Sequence, residues 1–222
     1  MPMTPAVKWL IITTSTVWIV LQIIGESILN IPINQFFALH PDQVIFKFFV
    51  WQPVTYIFLH TMGVSHILLN MLSLWFIGSE LEQRWGRKFF LFYYFSSGIG
   101  AAIFYCIGVV IYFWLTGNMT GLKIPVVGAS GSIFGLLLAY GLLFGEKTLH
   151  FMMLFPMKAK IFVLLLAGIE IVTLLGSGVA GTEVANLAHL GGFLAGYLTL
   201  LGYTRLQRLE WKQKSKKKGR NL

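Results

Sequence analysis

Ser130 stands in the run Gly128-Ala129-Ser130-Gly131-Ser132, and His189 closes the run Asn186-Leu187-Ala188-His189. A serine hydroxyl becomes a useful nucleophile only when a neighbouring base takes its proton, and imidazole is the commonest such base. Acyl transfer also needs donors aimed at the oxygen where negative charge develops. Three candidates are present: the backbone N–H of Ser130 and the side chains of His66 and Asn70. His66 and Asn70 are four residues apart, which puts them on one face of a helix. No acidic residue adjoins His189 in sequence, so the constellation reads as a Ser130–His189 dyad, with Asn186 placed to orient the imidazole. Ser132 is the other serine of the run, and labelling there instead would identify it as the nucleophile.

Plainer readings compete with this one. A lone serine in an apolar helix usually packs, and a lone histidine usually bonds a neighbour. The histidines together with Glu170 suggest a metal or proton site, yet neither HExxH nor a Cys/His pair at ligand spacing occurs. No metal is expected. A Gly-rich phosphate loop is absent too, and nucleic acid has no support beyond a basic tail.

The elements that must position these residues are membrane helices. The chain has 222 residues, 56% of them hydrophobic and only 11% charged, with a mean hydropathy of +0.75. A soluble domain carries roughly a quarter charged residues. Soluble enzymes, disordered chains and disulfide-built modules are thereby excluded, the last because Cys106 is the only cysteine. Six stretches approach the roughly 20 apolar residues that cross a bilayer: about 9–25, 64–81, 89–115, 126–145, 161–177 and 186–204. The expectation is an all-α polytopic bundle, a single membrane domain over 1–204 followed by a basic cytoplasmic tail, 205–222. The first stretch lacks a small-residue cleavage site and reads as a retained span.

Net charge is +9. With the N-terminus inside, fifteen of the seventeen Lys and Arg residues fall on the inner side, leaving Lys47 and Lys123 outside. The positive-inside rule therefore puts both termini in the cytoplasm. Contact of the tail with anionic lipid is a secondary expectation. The outer connection, about 26–63, holds Phe36, Phe37, Phe46, Phe48, Phe49, Trp51, Tyr56 and Phe58 and is expected to lie in the headgroup region. Pro32, Pro41, Asp42, Lys47 and Pro53 argue against an extra span there.

Polar groups at membrane depth are functional suspects. His66, Asn70, Ser130 and His189 all lie near the starts of even-numbered spans, which run the same way, so they share a depth on the outer side. Ser130 is expected roughly 6–10 Å below the outer boundary. Gly131 with Gly135, and Gly192 with Gly196, form small-residue faces that let two helices approach closely. Those faces would carry Ser130 towards His189.

Together these residues resemble the rhomboid intramembrane serine proteases, in their basic six-span bacterial form. The resemblance covers about 45–200. It is carried by His66-Ile-Leu-Leu-Asn70, by Gly128-Ala129-Ser130-Gly131 and by Ala188-His189-Leu190-Gly191-Gly192, on alternate spans. It implies Ser130 as nucleophile, His189 as general base, and His66, Asn70 and the Ser130 N–H as oxyanion site. Gly128, Gly131, Phe134, Asn186 and Gly192 support them. Glu82 and Arg84 resemble the polar cluster that ends span 2, and 161–185 resembles a mobile substrate gate. The implied partners are transmembrane protein substrates and membrane lipid, with no cofactor, in a bacterial cytoplasmic membrane with the site open to the outer side.

Three positions depart from the pattern. Gln52 stands after Trp51 where many members have an Arg that stiffens the first loop. Phe134 replaces a Tyr that stacks on the base. Glu170 lies outside the pattern: it faces the bundle interior protonated or sits near the gate. Two other functions remain in view, a catalytically silent relative that binds membrane proteins in quality control, and a carrier. The carrier would need inverted-repeat symmetry, which the sequence does not show.

Overall fold

The computed structural model describes residues 2–151, 155–177 and 185–219. Helix dominates. Helix α1, Pro5–Ile28, begins as an α-helix and widens from Val17 into i→i+5 turns. Three short helices follow in the outer connection: α2 (Ile33–Phe37), α3 (Pro41–Phe46) and α4 (Gln52–Thr55). Then come α5 (Val64–Trp85), α6 (Arg87–Thr116), the single turn α7 (Thr120–Lys123) and α8 (Ser130–Leu143). Strands β1 (Thr148–Phe151) and β2 (Phe155–Lys158) precede α9 (Ala159–Ser177) and α10 (Ala185–Gly219).

Four helices, α1, α5, α6 and α9, are long and apolar enough to cross a membrane by length and composition. The stretch expected over 126–145 forms a helix only from Ser130 to Leu143. Its 14 residues reach about 21 Å, short of the roughly 30 Å hydrocarbon layer. The expected 186–204 stretch lies inside α10, which runs past residue 204 to Gly219 without a break. Arg, Lys, Gln, Glu and Leu are all good helix formers, so the basic tail begins as a continuation of that helix.

The all-α expectation needs one correction. Thr148–Phe151 and Phe155–Lys158 form an antiparallel pair of strands, with Thr148 opposite Lys158 and Leu149 opposite Met157. Ladder hydrogen bonds satisfy backbone groups that a plain linker would leave to water. At its foot Lys158 reaches Glu146 at 2.6 Å and Lys160 touches the same carboxylate. These ammonium groups hold the Glu146 carboxyl at about 2, below the ordinary range.

The core lies where α6, α8 and α10 pack on one another. Tyr93, Tyr94 and Tyr105 of α6 are fully buried there beside Leu136 of α8. Helix α9 leans on α8 and α10 and leaves Leu164, Ile169, Val172 and Leu175 exposed.

Polar contacts fix which ends meet. The N–H groups of Ala6 and Val7 donate to Glu82 at 3.0 and 3.1 Å, and Thr4 Oγ1 donates to the same carboxylate. Pro5 has no N–H to satisfy, so Glu82 completes the start of α1. Tyr140 Oη donates to Glu80 Oε2 at 2.8 Å, and Lys147 reaches Glu80 at 2.6 Å. The start of α1 and the ends of α5 and α8 therefore share one end of the bundle. Of Glu82 and Arg84, the pair that resembles a polar cluster ending span 2, Glu82 is the one that gathers these three donors.

Candidate active site

The opposite end is built from the outer connection. Gln22, fully buried on α1, donates to the His60 carbonyl at 2.7 Å and accepts from the His60 N–H at 2.8 Å. Trp18 Nε1 donates to the Thr61 carbonyl at 3.0 Å. The segment before α5 is thus pinned to α1. Thr61 Oγ1 lies 3.0 Å from His66 Nδ1. A hydroxyl donated to Nδ1 leaves the proton on Nε2, which makes that nitrogen a donor. His60 packs against His66, ring centroids 5.1 Å apart. Burial, and secondarily the neighbouring His66, push the His60 imidazole down to about 4.

Ser130 is reached by an extended lead. Leu39 and Val126 exchange two backbone hydrogen bonds of 3.0 Å, and the Gly128 N–H donates to the Tyr56 carbonyl at 3.0 Å. Gly128 has φ +129°, a conformation that L side chains rarely adopt. A Cβ there would lie 3.1 Å from His66 Nε2 and 3.6 Å from Ser130 Oγ. The absent side chain therefore leaves the gap between His66 Nε2 and Ser130 Oγ open. Ser130 is the first residue of α8, so its N–H and the next two have no partner within the helix.

Depth follows from the tie between Tyr140 and Glu80. Ten residues back from each lie Ser130 and Asn70, about 15 Å along both helices. The two residues are therefore level, and Val64, the top of α5, stands about 9 Å higher. Asn70 is buried and spends one amide hydrogen on the His66 carbonyl at 2.8 Å.

His189 Nε2 lies 2.8 Å from Ser130 Oγ. Phe134, one turn below Ser130, stacks on the imidazole with centroids 4.2 Å apart and planes 7° from parallel. The ring fixes the plane of the base without a hydroxyl. His189 Nδ1 meets Glu170 Oε1 of α9 at 3.0 Å. An ionised carboxylate only accepts, so an imidazole paired with it would carry its proton on Nδ1 and turn the Nε2 lone pair to Ser130. Ser132 Oγ is fully buried and lies against Gly98, so the geometry brings Ser130, not Ser132, to the imidazole.

Helix spacing is set by backbone contact. A Cβ on Gly192 would strike the Gly131 carbonyl oxygen and stand 3.2 Å from Gly131 Cα. One on Gly196 would lie 3.0 Å from Gly135 Cα. The two small-residue faces cross here, one helix against the other.

Residues 47–206 match the Rhomboid domain family. The chain belongs to the rhomboid family. RHOMBOID-like protein 1 of Arabidopsis thaliana is 35% identical over 85% of this chain and 42% of its own length. Rhomboid protease GluP of Bacillus subtilis (strain 168) is 31% identical over 66% of this chain and 25% of its own. RHOMBOID-like protein 2 of Arabidopsis thaliana is 34% identical over 78% and 48% respectively. The chain spans less than half the length of these relatives. They come from a plant and a bacterium alike, so family membership does not choose a bacterial membrane.

Among rhomboid features read from the sequence, two take a different form. Asn186 does not hold the imidazole: its Nδ2 is buried without a partner among the described residues, and Glu170 has taken the Nδ1 contact. The dyad reading missed Glu170 because it searched the sequence beside His189, whereas the carboxylate comes from another helix. Its depth in an apolar span was the one signal available. Gln52 does not loosen the rhomboid loop. Fully buried, it accepts from the His40 N–H at 2.9 Å and donates to Gln43 Oε1 at 2.8 Å and the Phe36 carbonyl at 3.3 Å. An amide both donates and accepts, so it takes the His40 N–H as well, which a guanidinium, a donor only, could not. Of the gate segment 161–185, residues 178–184 lie outside the described residues. Among the described residues no three His, Cys, Asp or Glu side chains converge as a metal site requires.

Proposed function

We propose that this rhomboid is an intramembrane serine endopeptidase that cleaves transmembrane segments of other proteins. The supporting observation is the 2.8 Å contact of His189 Nε2 with Ser130 Oγ at the start of a short, recessed helix. Ser130 Oγ attacks the scissile carbonyl as its proton passes to His189 Nε2. The carbonyl oxygen, now negative, is met by the Ser130 N–H, by His66 Nε2–H and by the remaining amide hydrogen of Asn70. His189 then hands its proton to the leaving amine as the C–N bond breaks. Water activated by the same imidazole hydrolyses the acyl-enzyme. A substrate helix must unwind locally, because its carbonyls are otherwise bonded within the helix.

In this reading α1, α5, α6, α8, α9 and α10 are six crossings, α10 leaving the membrane near residue 204. The shared end of α1, α5 and α8 is cytoplasmic, in keeping with the basic residues there. The site then opens to the outer side. Phe46, Phe48 and Trp51, exposed at 64%, 74% and 41%, present rings to the headgroup region, where amphipathic aromatics are favoured.

The test uses the purified protein in detergent with a panel of fused transmembrane substrates and a fluorophosphonate probe. Cleavage and labelling are expected from the natural protein and are lost in Ser130→Ala, while Ser132→Ala retains both. Cleavage that survives Ser130→Ala would remove Ser130 as nucleophile. A protein that holds client spans yet neither cleaves nor labels would instead be a silent, membrane-protein-binding rhomboid.

A further inference from the structure

The proposed mechanism uses two side chains as nucleophile and base, yet the structure supplies a third group behind them. Glu170 is the single acidic residue of α9. Its side chain is 12% exposed, that of His189 16%, and Oε1 lies 3.0 Å from Nδ1. Ile169 and Val172, its neighbours on α9, are 59% and 70% exposed, so this carboxylate turns inward from an otherwise outward-facing stretch. Oε2 is buried without a partner among the described residues. A carboxylate so placed is expensive in an apolar surround, and His189 is the partner that compensates it.

We propose that Glu170 is a positioning residue that turns the dyad into a Ser130–His189–Glu170 triad. The inference rests on the serine-protease reading and deepens it. The carboxylate accepts the Nδ1 proton, which fixes the tautomer with a free lone pair on Nε2. When the Ser130 proton moves to Nε2, the imidazolium forms between the alkoxide's new bond and an anion. Glu170 takes no proton at any step: the proton goes from Ser130 Oγ to Nε2 and from Nε2 to the leaving amine. The third member comes from α9, whereas nucleophile and base sit on α8 and α10. Catalytic competence therefore depends on how α9 stands against α10, not only on the pair whose glycines touch.

Among the described residues, the other groups facing His189 do not provide this charge. Helices α6 and α8 present no charged side chain along the buried stretch, their titratable groups there being tyrosines and Cys106. From α5 comes His66, with His60 behind it. Both are bases, and a charge on either opposes an imidazolium.

The experiment measures fluorophosphonate labelling rates of the full chain in detergent across roughly pH 5 to 9, beside thermal unfolding. Glu170→Gln keeps the shape and removes the anion. It is expected to label about 10²-fold or more slowly, with the acid limb of the rate profile moved to lower pH by about one unit. Glu170→Asp keeps the charge but opens the contact by about 1.5 Å, one carbon–carbon bond, and is expected to label about three- to tenfold more slowly than the natural protein, well above E170Q. A merely structural Glu170 would lower the unfolding temperature without moving the limb, and that outcome overturns the proposal. So does labelling of E170Q within about threefold of the natural protein with its limb unmoved, a difference of under 1 kcal/mol. Should E170Q not fold, E170D decides: a rate equal to the natural one overturns the triad. If the natural protein itself does not label at Ser130, the protease reading fails and the triad with it. Labelling that is intact in both overturns the triad alone.

Discussion

Gly192→Ala should separate the reacting groups without touching either. The added methyl has backbone on its far side: the Gly131 carbonyl, with Gly131 Cα 3.2 Å away. No side chain can swing aside to accommodate it. Carbon atoms settle at about 3.5–4.0 Å, so α8 and α10 must part by roughly 1 Å at this level. Ser130 lies one residue before Gly131, and His189 one helical turn before Gly192. Their contact of 2.8 Å would open to about 3.5 Å or beyond, where such a hydrogen bond is lost. A displacement of that size is worth about 10²-fold in rate, and overpacking destabilises by about 1–3 kcal/mol. Gly202→Ala is the matched control, since a Cβ there meets nothing within 4 Å on the same helix. It should label at the natural rate and be up to about 1 kcal/mol more stable, because glycine is a poor helix former. Fluorophosphonate labelling and thermal unfolding in detergent, run on both variants, read the two effects separately. A G192A protein that labels as fast as G202A would show that backbone contact does not set the distance between serine and imidazole.

Three further perturbations probe the frame. His60 stays neutral in the native protein down to about 4, whereas the unfolded chain takes a proton near 6.5. Stability present above pH 6.5 is therefore lost as pH falls towards 4, on the order of 3 kcal/mol in all, and levels off below. Unfolding followed against pH should show that slope, and His60→Leu should flatten it. Gln52→Ala strands the His40 N–H and the Gln43 amide and should destabilise by about 1–3 kcal/mol, with protease nicking in 36–52 as the sensitive readout. Glu82→Ala leaves three buried donors unpaired and should destabilise by about 3 kcal/mol. Its labelling rate per folded molecule should stay unchanged, because Glu82 lies at the far end of the bundle.

What the sequence made legible follows from the physics of single helices. His66 and Asn70, or Gly192 and Gly196, lie a fixed number of residues apart on one rod, so spacing alone gives their common face. Alternation of span direction then gives the shared end on which Ser130 and His189 meet. Glu170 was not legible as a partner, since its contact with His189 depends on how α9 is rotated against α10, and no spacing encodes a rotation. The start of α8 was hidden for another reason. Val126-Val127-Gly128-Ala129 is as apolar as the helix it precedes, and hydropathy runs straight through a break made by the Leu39 bridge and the positive φ of Gly128. The strand pair β1–β2 was not legible because a short connection between helices carries little periodicity. Gln52 was read against a charged residue it replaces, when its worth lay in donating and accepting at once.

The contact that closes α1 also says something about the order in which the protein is made. Ala6 and Val7 leave the ribosome well ahead of the carboxylate that satisfies them, which is residue 82. At the usual pace of synthesis, roughly 5–20 residues per second, some 4–15 s separate the two. Through that interval the first helix has an uncapped start and nothing to dock against at that end. It is made before its partner and seated late, locked only when the last turn of α5 arrives. Nascent chains arrested before residue 82 should leave the N-terminal segment open to a thiol probe at an introduced cysteine, and chains extended past α5 should protect it.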